Sequence, residues 1–290
     1  MTGSLDPTSV AAYQRDGILF PIRAMSEAEA ARATRELETL EAREGGRLSR
    51  NTNQKSHILL PSLNRLIRDP AILDAVESIL GPNLLCWGSG FFIKNVDDRA
   101  FISWHQDSTY WGLSSADVVT AWVAFTPSTP ESGCMRVIPG TQTADQVAHR
   151  DTFAEGNLLS RGQEIAVAVD ENQAVDVVLQ PGEMSLHHVR IFHGSGQNHS
   201  RHRRIGFAIR YIPTSLSQLG ARTTASLVRG SDEYGHFDLE PIPRSDFDPA
   251  AVAFHADAVG RLNTVLYAGA APPTLSGQND NHSTPKEPRP

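Results

Sequence analysis

Two apolar runs and the turn between them indicate the fold class. They lie in residues 184–212, whose sequence is MSLHHVRIFHGSGQNHSRHRRIGFAIRYI. The first run ends at His193, a Gly-Ser-Gly turn follows, and the second run covers Ile205–Ile212. Apolar, β-branched runs on either side of a glycine turn are typical of a β-hairpin. Such a hairpin would bring a residue from the start of the second strand back beside His193.

This pair belongs to a longer series of short strands. Along the chain from residue 84, apolar residues recur with a period close to two, and turn pairs such as Pro139-Gly140 and Pro181-Gly182 separate the runs. We predict these strands: Leu84–Lys94, Ile102–Asp107, Val118–Phe125, Met135–Ile138, Val175–Leu179, Met184–His188 and Ile205–Ile212. Many short strands and few helices favour a mainly β fold, a cupin-like jelly roll (double-stranded β-helix) whose core spans about residues 84–215.

Helix-start signals are concentrated in the first eighty residues. Asp-Pro pairs occur at Asp6-Pro7 and Asp69-Pro70, and residues 26–29 (SEAE) form a capping box. Gly17, the Gly45-Gly46 pair and Gly81-Pro82 are the predicted ends of these helices. We expect the N-terminal helices to pack on one sheet of the jelly roll.

The remaining segments complete a single predicted domain, residues 1–270. Asp248-Pro249 begins a last helix that runs towards Tyr267. Residues 141–173 are polar and poorly periodic, which is typical of a lid loop. The proline-rich residues 271–290 are expected to be a disordered tail.

Composition and charge exclude several classes of partner. The formal net charge is −7 and no dense run of lysine and arginine occurs, so nucleic acid and anionic membrane surfaces are not expected partners. No stretch approaches the roughly 18 apolar residues of a membrane-spanning helix, and no apolar signal core opens the chain. Cys86 and Cys134 are predicted to be buried free thiols. We expect a cytoplasmic protein with a small-molecule substrate; the oligomeric state is not predicted.

The motif Trp104-His105-Gln106-Asp107 is the strongest local signal for chemistry. Residues i and i+2 of a strand point to the same face, so His105 and Asp107 would project together. One imidazole and one carboxylate are two of the three ligands in a 2-His-1-carboxylate site for non-haem iron(II). Taken alone the pattern is weak, because a surface pair or a core hydrogen bond produces it more often.

A third ligand and an anion-binding group are available in residues 184–212. His193 ends an apolar run, and Arg204 follows it by eleven residues at the start of the next strand. A guanidinium offers two parallel donors to a carboxylate. A metal site beside such an arginine suits a chelating 2-oxo-dicarboxylate.

These four residues, in this order and spacing, resemble the phytanoyl-CoA dioxygenase family of iron(II)- and 2-oxoglutarate-dependent oxygenases. Residues 13–19 (YQRDGIL) are similar to the family's first helix and first strand, and residues 132–141 (SGCMRVIPGT) to its glycine-rich turn, strand and Pro-Gly exit. Residues 193–198 (HGSGQN), with Ser200 and Arg204, are similar to its distal-histidine signature. The resemblance covers residues 10–215 in the family's order.

The resemblance implies a set of site residues. His105, Asp107 and His193 would ligate iron, while Arg204 would bind the far carboxylate of 2-oxoglutarate and Ser195 would add a hydrogen bond to it.

Two further residues are assigned in the same way. Trp122 matches a family tryptophan beside the cosubstrate, and Lys94 resembles a strand lysine near the site. The chain departs from the family at Thr141-Gln142, where a histidine often follows Ser or Thr; this position is not a ligand in the family.

The implied reaction is hydroxylation of an unactivated C–H bond of a small-molecule metabolite, with iron(II), 2-oxoglutarate and O2, and release of succinate and CO2. Asp107 disfavours halogenation, because halogenases of this superfamily carry Ala or Gly at the carboxylate position. Two alternatives stay open. One is a zinc hydrolase, since zinc binds most N/O sites more tightly than iron; the other is a catalytically silent cupin-like protein that binds metal or 2-oxoglutarate.

Several neighbouring residues have two interpretations. One of His187 and His188 is expected to pack near the site without touching metal. Arg210 lies on the same strand face as Arg204 and is either a core salt-bridge partner or a site residue. Tyr110 and Trp111 either line the substrate pocket or fill the mouth of the jelly roll. The other basic residues of this region are expected at the surface: Arg190, His199, Arg201, His202 and Arg203.

Overall fold

Two antiparallel β-sheets form the core of the computed structural model, which describes residues 3–96 and 98–268. The strands are β1 (Ile18–Arg23), β2 (Leu84–Lys94), β3 (Ile102–His105), β4 (Val119–Ala124), β5 (Met135–Ile138), β6 (His149–Arg150), β7 (Glu164–Ile165), β8 (Val175–Val177), β9 (Glu183–His188), β10 (Phe192–Ser195), β11 (Arg204–Pro213), β12 (Thr224–Arg229) and β13 (Asp238–Leu239). The larger sheet has the order β1-β9-β4-β11-β2-β12-β13 and the smaller one the order β3-β10-β5-β8, while β6 pairs with β7.

The inner faces of the two sheets meet in a shared apolar layer. Trp122 and Ala208 of the larger sheet belong to the same buried cluster as Met135 and Val137 of the smaller sheet. Along β11 the side chains alternate between this inner layer and the outer face. The predicted jelly roll is therefore confirmed, and its inner layer is where a site can be enclosed.

N-terminal helices cover the outer face of the larger sheet. The α-helices are α1 (Pro7–Asp16), α2 (Glu27–Arg43), α3 (Arg50–Asn53), α4 (Pro61–Leu66), α5 (Pro70–Leu80) and α6 (Pro249–Leu266). One buried cluster combines α2, α5 and β11: Leu37, Ile72, Val76, Phe207 and Ile209. The predicted packing of N-terminal helices on one sheet is thus confirmed. No helix of the described ranges is long and apolar enough to cross a membrane.

The predicted helix starts are confirmed by their caps. Asp6 accepts hydrogen bonds from the backbone N–H groups of Thr8 and Ser9, and Ser26 forms the complete capping box with Glu29. Asp69 and Asp248 cap α5 and α6 in the same way. Each cap satisfies N–H groups that have no partner inside the helix.

The predicted hairpin between His193 and Ile205 is wrong. β10 pairs with β3 and β5 in the smaller sheet, whereas β11 pairs with β2 and β4 in the larger one. The chain between them crosses from one sheet to the other instead of folding back. The apolar pattern fixes where a strand lies along the chain but not which strand it pairs with, so the pattern suits both arrangements.

Two other predictions need correction. The strand predicted to reach Asp107 ends at His105, and Asp107 begins a single 3₁₀ turn. Residues 141–173 are not all loop, because β6 and β7 pair within them. The single domain stays a prediction, and the predicted disordered tail, residues 271–290, lies outside the described residues.

Candidate metal centre

Three buried side chains converge between the two strands β3 and β10. His193 lies opposite His105 in the antiparallel pairing, and Asp107 follows at the end of β3. The Asp107 Oδ1 atom is 3.3 Å from His105 Nε2 and 3.9 Å from His193 Nε2. Ligand atoms of the three residues all lie within 4.8 Å of one another. The structure therefore brings together the triad expected from the sequence, although Asp107 reaches it from a 3₁₀ turn and not from a strand.

Backbone carbonyls orient both imidazoles. His105 Nδ1 is 2.9 Å from the Ser103 carbonyl oxygen, and His193 Nδ1 is 3.0 Å from that of Ile191. A carbonyl oxygen only accepts, so each Nδ1 carries a proton, and the Nε2 atom of each ring is directed towards Asp107. Histidine ligands of metals are commonly oriented in this way.

The protonation states also suit a cation. Burial alone would raise the pKa of Asp107, but the hydrogen bond from His105 and the neighbouring histidines hold that pKa well below the usual range. Burial, followed by the charge of His105, lowers the pKa of His193 well below its ordinary value. At neutral pH the triad consequently offers one carboxylate and a neutral distal imidazole, a donor set that fits iron(II) as well as zinc.

Arg204 places unsatisfied hydrogen-bond donors in the same cavity. Its side chain is 1% exposed, and its Nε and Nη2 atoms have no partner among the described residues. Burial lowers the pKa of the guanidinium to about 10, so it remains a cation at neutral pH. Buried charges are almost always paired. The two free donors therefore fit a carboxylate ligand such as the far end of 2-oxoglutarate.

Trp122 and Gly206 fix the position of this guanidinium. The Arg204 Cζ atom lies 5.2 Å from the centroid of the Trp122 ring, within cation–π range. A Cβ atom at position 206 would overlap that ring, so the glycine makes room for the indole. Trp122 thus lies beside Arg204 and lines the same cavity.

Lys94 and Ser195 act together. Lys94 Nζ donates to Ser195 Oγ at 2.6 Å and to the Gly133 carbonyl at 3.1 Å, and it also contacts the Gly196 carbonyl. Ser195 lines the cavity with Arg204, whereas Lys94 does not. Lys94 therefore lies behind Ser195 and positions its hydroxyl, a more indirect place than the sequence suggested.

One cavity of about 410 Å³, partly open to solvent, contains the triad together with Arg204, Ser195 and Trp122. His187 also lines it, with Nε2 3.9 Å from Asp107 Oδ2. His188 is half-buried and accepts a hydrogen bond from the Arg190 N–H. Of the two histidines, His187 is the one next to the triad.

The structure distinguishes the other open interpretations. Arg210 lines the cavity and makes no salt bridge within residues 3–96 and 98–268. Trp111 lines a neighbouring cavity, while the Tyr110 hydroxyl hydrogen-bonds Asp151 at 2.6 Å.

Two of the expected surface residues are more enclosed than predicted. His202 is half-buried, with Nε2 3.2 Å from the Pro127 carbonyl oxygen, and Arg203 forms an ion pair with Glu41 at 2.7 Å. Both link the crossing segment between β10 and β11 to neighbouring parts of the fold. Histidine and arginine side chains are usually exposed, and the local sequence does not indicate that Pro127 and Glu41 are their partners.

Thr120 lines the cavity but was not identified as a site residue from the sequence. This residue is 1% exposed and has no hydrogen-bond partner for Oγ1 among the described side chains and backbone. Its position two residues before Trp122 was the available signal, because the spacing places both side chains on one face of β4.

Comparison with known proteins agrees with this geometry. The chain is 28% identical over 163 residues to the probable alpha-ketoglutarate-dependent hypophosphite dioxygenase of Stutzerimonas stutzeri, covering 53% of this chain and 56% of that protein. The chain spans about half the length of the curated relatives it matches.

Solved structures match over more of their length. The apo form of the non-heme monooxygenase ThoJ has a TM-score of 0.80 and 37% sequence identity, covering 89% of this chain and 96% of that one. CytC3 with Fe(II) and alpha-ketoglutarate has a TM-score of 0.64 and 26% identity, covering 86% and 97%. The family model for phytanoyl-CoA dioxygenase (PhyH) matches residues 5–206. The chain belongs to the phytanoyl-CoA dioxygenase family.

Proposed function

We propose that this chain is an iron(II)- and 2-oxoglutarate-dependent oxygenase that hydroxylates an unactivated C–H bond of a small-molecule metabolite. The observation that carries the proposal is a single cavity with two features. One is the buried triad of His105, Asp107 and His193. The other is Arg204, a buried cation with two free donors and no carboxylate of its own.

His105, Asp107 and His193 would hold the metal through two imidazole Nε2 atoms and one carboxylate. Iron(II) bound there supplies the redox chemistry by which O2 and 2-oxoglutarate hydroxylate the substrate, with succinate and CO2 as the other products. Arg204 receives the far carboxylate of 2-oxoglutarate, and Ser195, positioned by Lys94, adds a hydroxyl donor. These residues orient the cosubstrate before the substrate is attacked.

The rest of the cavity wall limits access of water. Ile102, Met135 and Ala208 contribute apolar surface, and the Trp122 ring covers the Arg204 side chain. Excluding water strengthens the interaction between Arg204 and an anion and protects reactive species from side reactions. Asp107 supports hydroxylation over halogenation, because the third position of the triad is already occupied by a carboxylate.

A zinc hydrolase would use the same triad but leaves Arg204 without a role. A protein that binds 2-oxoglutarate without turnover would use all four residues. Neither alternative consumes O2, so oxygen-dependent turnover distinguishes the proposed oxygenase from both. Turnover without O2 distinguishes the hydrolase from the binding protein.

The test is a turnover assay with iron(II), 2-oxoglutarate and a panel of small carboxylic acids, amino acids and amides under ¹⁸O2. The expected result is a product that carries one ¹⁸O atom, formed together with one succinate. Arg204→Met should raise the KM for 2-oxoglutarate by tenfold or more, on the order of one lost charge-assisted pair. Turnover that needs zinc but no O2 would replace the proposal with a hydrolase, and tight 2-oxoglutarate binding without succinate would replace it with a binding protein.

A further inference from the structure

A second cavity opens directly beside the metal centre. It encloses about 850 Å³, part of it open to solvent, and Phe92, Asp107 and Arg210 line both cavities. Its walls include α3, residues 158–160 and the C-terminal half of α6. Arg204 lines only the first of the two cavities, so a molecule placed in the second one would reach Asp107 without contacting Arg204.

Small residues and a bulge on β2 create the space. Gly88 and Gly90 lie opposite Arg210 and Ala208 in the sheet, so this stretch of the inner face of β2 carries no side chains. The register shifts between Arg210 and Tyr211, which leaves Trp87 as the extra residue of a bulge. Bulges redirect side chains, and the Trp87 indole lines the cavity.

Aromatic and aliphatic side chains form one part of the wall of this cavity. The Trp87 and Trp111 rings lie 4.9 Å apart, centroid to centroid. Four leucines complete the apolar wall: Leu158, Leu159, Leu262 and Leu266. Such a wall fits the hydrocarbon body of a ligand.

Polar side chains also line this cavity, among them Arg50, Asn53 and Gln163. Arg210 is the cation among them that also lines the cavity of the metal centre. Its Cζ atom lies 5.7 Å from the Phe92 ring centroid and 5.5 Å from that of Trp111, so two aromatic rings hold the guanidinium. Nothing in the described ranges accepts a hydrogen bond from it. The carboxylate that lines the cavity, Asp107, belongs to the triad. Within the described part of the chain, Arg210 is thus an oriented cation that makes no hydrogen bond or salt bridge.

Thr120 is a second buried hydrogen-bonding residue and lies next to Arg210 in the larger sheet. It lies directly opposite Arg210 on β4, a position at which Cβ atoms are about 5 Å apart. Its buried hydroxyl is unpartnered among the described residues. A carboxylate bound by Arg210 can therefore accept a second hydrogen bond from Thr120.

We propose that Arg210 and Thr120 bind the carboxylate of the primary substrate, a monoanion with an aromatic or similarly bulky apolar body. A guanidinium fork matches a carboxylate. Arg50, the other arginine of this cavity, already donates to the Tyr267 hydroxyl and the Ser160 carbonyl, so Arg210 is the arginine left to bind a single negative charge. Arg210 follows Arg204 on β11 after six residue steps, about 20 Å of strand, and only Arg210 also lines the second cavity. The two arginines thus bind different acids. As a statement about substrate, this inference rests on the proposed function.

The test uses the full chain with iron(II) and excess 2-oxoglutarate under anaerobic conditions, titrated with 3-phenylpropanoate and with 3-phenylpropanamide. Tryptophan fluorescence reports binding, because Trp87 and Trp111 line the cavity. Wild type should bind the acid at least roughly tenfold more tightly than the amide. Arg210→Met should abolish this preference and Arg210→Lys should reduce it, since the ammonium keeps the charge but loses the fork.

Two further variants keep the result interpretable. Arg50→Met is the matched control: it removes the other arginine that lines this cavity, which already donates to Tyr267 and Ser160, and should leave the preference intact. Thr120→Val preserves the shape of the side chain and should weaken the preference several-fold even if Arg210→Met does not fold. A wild type without preference for the acid, or an Arg210→Met protein that keeps it, would overturn the inference.

A second readout tests the proposed function independently of the proposed carboxylate site. The visible charge-transfer band of iron(II) and 2-oxoglutarate is recorded before each titration. If the band is absent, the titration is repeated without metal, where a preference that depends on Arg210 still supports the carboxylate site. If the band is present and the preference is absent, only the carboxylate site is wrong.

Discussion

Lys94 shows how a single buried side chain links the site to stability. It is fully buried, and its contacts are a serine hydroxyl and two carbonyl oxygens. Burial, followed by the charge of Arg204, lowers its pKa to about 6. The folded protein therefore binds fewer protons at Lys94 than the unfolded chain does between about pH 6 and 10.5.

This difference predicts the sign of a pH effect. The free energy of unfolding rises with pH wherever the unfolded state binds more protons, by up to about 1.4 kcal/mol per pH unit for one group. The stability of wild type relative to Lys94→Met should therefore increase as pH rises from about 6 towards 10.5. Urea unfolding at several pH values measures it, with the exposed Arg201→Met as control. If the difference in the free energy of unfolding between wild type and Lys94→Met is constant with pH, the pKa of Lys94 is not lowered in the folded protein.

At the residue scale, the order and spacing of four residues predicted the candidate site from the sequence. His105, Asp107, His193 and Arg204 are far apart along the chain, yet the family pattern grouped them, and the structure places them around one cavity. The pairing of Thr120 with Arg210 was out of reach because it depends on which strands are neighbours. Strand adjacency is a long-range property that local periodicity does not contain.

At the level of elements, the segment from residue 151 to 163 is fastened to the end of α6. Arg161 donates to the Leu266 carbonyl at 2.8 Å and the Ala268 carbonyl at 2.7 Å, and its Nη1 lies 3.2 Å from Asp151. Its guanidinium also stacks over Tyr110, 3.8 Å from the ring centroid. These contacts hold Leu158 and Leu159 over the second cavity, a place that suits the predicted lid.

Removing this fastening should loosen the segment without unfolding the core. Arg161→Met loses several charge-assisted hydrogen bonds, so amide hydrogen exchange in residues 151–163 should accelerate roughly tenfold or more. Arg150→Met is a matched control, because its ion pair with Glu164 is exposed and such pairs contribute little. Equal exchange in both variants would mean that Arg161 does not hold the segment.

Elements were predictable where local signals dominate. β2 matches its predicted bounds, Leu84–Lys94, because the Gly-Pro pair before it and the polar residues after it delimit a continuous apolar run. α3 and β12 were missed: one is a single turn, and the other lies in a stretch of weak alternation. The crossing between β10 and β11 was taken for a hairpin because both begin with a glycine-rich turn.

At the scale of the whole molecule, a buried ionic network joins the N-terminal layer to the far edge of the larger sheet. Glu240 Oε1 is 2.6 Å from Lys55 Nζ, and Glu240 Oε2 is 2.7 Å from His57 Nε2. The hydroxyls of Thr224 and Ser226 also donate to Glu240. Burial raises the pKa of Glu240, but Lys55 and His57 lower it by more, so the carboxylate stays ionised.

Breaking this network should destabilise the entire fold. Glu240→Gln leaves the Lys55 ammonium buried without a counter-charge, which costs about 3–5 kcal/mol. Chemical denaturation should show a matching loss in the free energy of unfolding, while the exposed Glu233→Gln should change it by less than about 0.5 kcal/mol. A small loss for Glu240→Gln would mean that water or a rearrangement compensates Lys55.

The triad and Arg204 are proposed to act together as one iron and 2-oxoglutarate site. The decisive measurement is the visible metal-to-ligand charge-transfer band after anaerobic addition of iron(II) and 2-oxoglutarate to wild type, His105→Ala and His199→Ala. His199 is exposed and lies six residues after His193, so it is the control histidine. We predict a band in wild type and His199→Ala and none in His105→Ala. If folded, iron-loaded wild type shows no band, these four residues do not form an iron and 2-oxoglutarate site.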